Sequence, residues 1–92
     1  MENPVPLYVV CYDLKQPGQN YDRITQALSK LGRCHAQGSV WFVEAKGPET
    51  ALRDYIASQL DGNDRLFISQ ISPTWAGQHM PTCGKWLNDR GL

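Results

Sequence analysis

Positions 7–12, Leu-Tyr-Val-Val-Cys-Tyr, are apolar or aromatic without a break. Such a run predicts a central strand buried on both faces, ending at Asp13. Lys15-Gln16-Pro17-Gly18-Gln19 is turn chemistry, after which Asn20 is placed to cap a helix over 21–31. Its inward face is Tyr21, Ile24, Ala27, Leu28 and Leu31, spaced by three and four, and Gly32 permits the left-handed stop. Residues 33–37 form a short, weakly patterned strand candidate. Beyond Gly38, the run 39–45 (Ser-Val-Trp-Phe-Val-Glu-Ala) predicts a clear strand. Gly47-Pro48-Glu49 opens a second helix with Leu52, Tyr55, Ile56 and Leu60 inward and a Glu49–Arg53 pair at i,i+4. A turn at 61–64 leads to a last strand over 65–71.

The order strand, helix, strand, strand, helix, strand is the split β-α-β arrangement. The expected fold class is therefore α+β: a ferredoxin-like sandwich with two helices on one face of a four-stranded antiparallel sheet. Residues 1–71 make that domain. Residues 72–92, with Trp75 and Trp86, form a C-terminal extension that packs back on the domain or a partner, with a short helix around 85–89. Strand parity sets Leu7, Val9 and Cys11 against Tyr8, Val10 and Tyr12. It sets Val40 and Phe42 against Trp41 and Val43 in the same way. Two helices cover one face, so an apolar second face needs another cover. The extension supplies part, and a second subunit is the larger candidate.

Composition narrows the function. With 92 residues there is room for one domain, and 41% hydrophobic content with nine aromatic residues argues against disorder. Nine Lys and Arg balance nine Asp and Glu. Dedicated duplex binders usually carry excess positive charge, so neutrality counts against strong nucleic-acid binding. Three cysteines without a Cys-x-x-Cys pair do not read as a disulfide scaffold. The opening Met1-Glu2-Asn3-Pro4 does not look like a signal peptide, and no apolar run nears the ~20 residues that cross a bilayer. A cytoplasmic location without membrane contact is expected.

Tyr12-Asp13, Gln37-Gly38-Ser39-Val40-Trp41 and the 60–64 stretch resemble the small CRISPR-associated adaptation proteins. Virulence-associated protein D, a small ribonuclease, has a similar Gln-Gly-Ser-Val-aromatic signature. The nearest resemblance is to the "SinR family" branch, at Tyr12-Asp13-Leu14, Pro17-Gly18-Gln19-Asn20-Tyr21, Ser39-Val40-Trp41, Arg53-Asp54, Leu60-Asp61, Trp75-Ala76-Gly77 and Trp86-Leu87. The resemblance spans residues 7–87. It implies a ferredoxin-like homodimer acting on nucleic acid in antiviral defence, with the two first-strand aspartates near the dimer axis. Some members are metal-dependent nucleases, and others hold DNA for a partner integrase.

Asp13 is the leading catalytic and metal-binding candidate. A carboxylate ending a central strand suits Mg²⁺ or Mn²⁺, and a two-fold axis would double it. The plainer role is an aspartate bonding the backbone of the following loop. Lys15, Arg33 and Ser39 are the nucleic-acid-binding candidates, against ordinary surface charge and a serine that satisfies a backbone group. Trp41 is placed to stack on a base or, more simply, to pack within the fold or a dimer interface. Cys34, His35, His79 and Cys83 raise zinc, but without the paired spacing of structural zinc sites. Two function classes follow: a Mg²⁺- or Mn²⁺-dependent phosphodiesterase cutting RNA or DNA through Asp13, and a non-catalytic dimeric module binding nucleic acid or a protein.

Overall fold

The computed structural model describes residues 5–14, 21–60, 62 and 64–92. Lys15, the turn around Pro17-Gly18, the Asn20 cap, and Asp61 and Asn63 of the later turn lie outside those residues. The elements are β1 (Leu7–Asp13), α1 (Tyr21–Leu28), β2 (Arg33–Gln37), β3 (Val40–Glu44), α2 (Glu49–Ala57), β4 (Arg65–Gln70) and α3 (Pro81–Asp89). The sheet order is β2-β3-β1-β4, with every neighbouring pair antiparallel. This is the expected ferredoxin-like α+β sandwich, extended by one helix.

Register shows why the strands alternate as they do. Val10 lies opposite Trp41 on one side and Ile68 on the other, while Tyr8 meets Val43 and Tyr12 meets Leu66. These residues face α1 and α2, and Val10, Val43, Ile24, Leu28 and Ile56 are fully buried among them. Each fully buried aliphatic side chain contributes roughly 1.5–3 kcal/mol, so this face supplies most of the stability. Two tyrosines tie the layers together. The Tyr8 hydroxyl donates to the Gly47 carbonyl at 2.8 Å, and the Tyr55 hydroxyl of α2 donates to the Ala27 carbonyl of α1 at 2.7 Å.

The other face carries Leu7, Val9, Cys11, Phe42 and Phe67. The C-terminal extension crosses part of it. Pro81 sits in the first turn of α3, where a missing N–H costs nothing, so the helix starts four residues before the expected 85. Cys83 and Leu87 of α3 are buried. At its far end the Arg90 guanidinium donates to Glu44 Oε1 at 2.7 Å and lies 4.0 Å over the Trp86 ring.

Three local expectations are corrected. Cys34 of β2 and Cys83 of α3 form a disulfide with Cα atoms 5.8 Å apart, across a sequence separation of 49. An odd cysteine count without close spacing concealed it, because the pairing is made by topology. Arg53 turns to its neighbour Asp54 at 2.9 Å rather than back to Glu49. Finally, α1 ends at Leu28, and Leu31 closes a tighter turn through its N–H to the Leu28 carbonyl at 2.9 Å.

Candidate functional site

Asp13 ends β1 and is exposed, standing opposite Arg65 of β4. Cys11, Tyr12, Asp13, Arg65, Leu66 and Phe67 line a shallow depression of about 230 Å³ at that end of the sheet. Phe67 stands out of it, 64% exposed, in the register position opposite Cys11. Burial pushes the Cys11 thiol above its ordinary range, which keeps it protonated and a poor nucleophile. The depression thus joins a carboxylate, a guanidinium and an apolar knob.

Ser39 shares this end of the molecule through its backbone. Gly38, at φ +23°, turns the chain between β2 and β3 after a bulge between His35 and Gln37. The Ser39 carbonyl then accepts the Tyr12 N–H at 3.1 Å, one residue before Asp13. Arg33 lies elsewhere. It pairs with Val43, near the Leu7 end of β1, and its Nη1 donates to the Ser29 and Leu31 carbonyls at the end of α1. About five residues of strand, roughly 17 Å, separate that end from Asp13. The candidates therefore do not converge: Asp13 and Ser39 are neighbours, Arg33 is distant, and Lys15 falls outside the described residues.

Arg65 is the residue that sequence reasoning passed over. Nothing in its own segment distinguishes it. Only the pairing of β4 with β1 brings its charge beside Asp13.

Trp41 is neither exposed nor open to a base. It is buried on the helix-covered face, its indole N–H donating to the Tyr12 hydroxyl at 3.1 Å. His35 stacks on it with centroids 4.0 Å apart and planes within 2°. The His35 Nε2–H donates to the Gly38 carbonyl at 2.6 Å, which fixes the hairpin. With Cys34 and Cys83 bonded to each other and His35 so engaged, the zinc reading fails. Among the described residues no group of three His, Cys, Asp or Glu is placed to hold a metal ion.

The donor set at Asp13 can still be tested against a hard cation. Mg²⁺ takes oxygen ligands, keeps several waters, and is commonly held by one or two carboxylates with substrate phosphates. Among the described residues lining the depression, one protomer contributes a single carboxylate, Asp13. Two copies meeting there would contribute two such carboxylates, a set that fits.

A second hollow of about 330 Å³ lies between the sheet and the extension, lined by Val9, Val40, Phe42, Trp75, Met80 and Leu87 among others. Its walls are mainly apolar, so it adds shape rather than chemistry.

Fold and register thus define a ferredoxin-like α+β domain with one half-covered sheet face. No family model matches the chain. It is similar to the solved structure of the hypothetical protein TT1823 from Thermus thermophilus, with a TM-score of 0.63 and 24% identity over 80% of this chain and 90% of that one. At that identity the likeness shows the fold alone. Among the described residues no helix is long and apolar enough to cross a membrane.

Proposed function

We propose that this chain is a cytoplasmic, nucleic-acid-associated homodimer of the CRISPR-adaptation type. In this reading it cleaves RNA or DNA phosphodiesters with Mg²⁺ or Mn²⁺ held through Asp13. The observation that carries the proposal is the exposed Asp13 at the end of the central strand, on the rim of the uncovered half of the sheet. Two copies joined through that half cover Phe67 and bring their Asp13 side chains toward a common axis. Asp13 and Arg65 give the rim both signs of charge, so the surface is complementary to its own two-fold copy. A divalent ion, if held there, would supply polarisation of the phosphate and a water of lowered pKa. Asp13 supplies oxygen ligands, and Arg65 offers a donor fork to a phosphate oxygen. The resemblance at Tyr12-Asp13 and Gln37-Gly38-Ser39-Val40-Trp41 supports the same class.

The single carboxylate among the described residues lining the depression favours a second reading: a non-catalytic dimeric module that binds nucleic acid or a protein along its sheet edges. The experiment that separates the two compares native protein with Asp13→Asn. Light scattering should first give twice the 10.4 kDa chain mass for both proteins. Native protein should then cut single-stranded or duplex substrates with Mg²⁺ or Mn²⁺ and stop with EDTA. The Asp13→Asn protein should melt at nearly the same temperature and lose cleavage. Equal cleavage by both, or none by either, would leave the binding module.

A further inference from the structure

We propose that the Cys34–Cys83 disulfide is a redox latch that holds α3 over the sheet and releases it when a dithiol reductant cleaves the bond. This goes beyond the activity proposed above and does not depend on it.

The geometry gives the latch a fixed side and a movable side. Cys34 lies in β2 opposite Phe42, inside the ladder, whereas Cys83 lies in α3, which no ladder holds. Residues 72–80, between β4 and α3, contain neither helix nor strand and are mostly exposed. Ser72 and Thr74 bond each other there, with hydroxyls 2.8 Å apart and the Thr74 N–H 3.3 Å from Ser72 Oγ. That segment is a connector with local bonding, suited to swing.

Among the described residues, α3 is also held by packing and by an ion pair. Leu87 is buried, and Arg90 reaches Glu44 through a partly exposed ion pair. An ion pair of that exposure is weakly stabilising and salt-sensitive. Closing a covalent loop across 49 residues is a much larger constraint on the chain. The bond is therefore the stronger of these two fastenings, and its state depends on the redox surroundings. Release uncovers Val9, Phe42 and the walls of the apolar hollow beneath Trp75 and Met80.

The chemistry closes as a two-electron exchange. A thiolate of the reductant attacks the Sγ of Cys34, the less buried residue of the pair, and the Cys83 sulfur leaves as thiolate and takes a proton. The reductant's second thiol then displaces Cys34 from the mixed disulfide, leaving two protein thiols and an oxidised reductant. In a reducing compartment such bonds are typically transient and sensing rather than structural.

The test uses full-length protein with and without a dithiol reductant, followed by denaturing thiol labelling and by hydrogen exchange. Without reductant only Cys11 should label, and with it all three cysteines should. Reduction should lower the protection of α3 amides by up to about 1,000-fold, the loop-closure effect expected when a loop of this size is unlinked. Amides of β1 and α2, which exchange through global unfolding, should remain clearly more protected than those of α3, so that the two sets separate on reduction. The double variant Cys34→Ser, Cys83→Ser should exchange like reduced native protein in either buffer. If it fails to fold, reduction of native protein carries the test alone. Labelling of all three cysteines without reductant, or α3 protection unmoved by reduction, overturns the latch.

Discussion

The two faces of this sheet are built from the same strands and have opposite fates. Tyr8, Val10, Tyr12, Trp41 and Val43 point into two helices and are buried at every position. Leu7, Val9, Cys11, Phe42 and Phe67 point the other way, and their burial falls from Leu7 beneath the extension to Phe67 in the open. Hydrophobicity does not separate the two sets. What separates them is which elements the connections carry across. Each strand-helix-strand crossover returns over the same face, and among the described residues it is the last twenty or so that reach the other. An apolar strand position thus means "buried against something", and the connections decide what.

The largest test of that contrast lies in the helix-covered core. Ile56→Ala removes a fully buried side chain from α2 and should cost about 3–4 kcal/mol in urea unfolding, independent of protein concentration. A loss under about 1 kcal/mol would mean that the two faces are not so different.

The next test addresses the open half. Phe67→Asp should leave the unfolding of the dilute chain within about 0.5 kcal/mol, since the side chain is 64% exposed. It should nonetheless give a monomer in light scattering where native protein gives the proposed dimer, because it sets a charge at the centre of the proposed interface. A persistent dimer would move the interface elsewhere.

The smallest expected effect sharpens the covered side. Tyr12→Phe withdraws the acceptor of the Trp41 indole N–H and should cost about 1–2 kcal/mol. Trp41 fluorescence should also shift, whereas a Phe67 variant should leave it unchanged.

Much of this was legible in the residues. The unbroken 7–12 run marked the central strand, parity assigned both faces of β1 and β3, and the aromatic extension was expected to fold back. Trp41 was harder. Its place on the helix-covered face follows from its opposition to Val10 in the sheet, and parity within one strand does not say which face the helices take. The Asp13–Arg65 opposition and the Cys34–Cys83 bond were hidden for a related reason. Each joins segments about fifty residues apart, and only strand order makes them neighbours. Local pattern reads elements well, and proximity between distant elements poorly.

The central position of β1 has a consequence during synthesis. Its two hydrogen-bonding edges are claimed by β3 and β4, both of which follow it in the chain. At about 5–20 residues per second, the roughly 60 residues from the start of β1 to β4 take about 3–12 s to be made. For that time the most apolar strand of the protein has an unpaired edge, the kind of surface on which nascent chains aggregate. The first of the four strands to be made is among the last to be enclosed, so the yield of native protein should respond to translation speed and to chaperones that shield exposed strands.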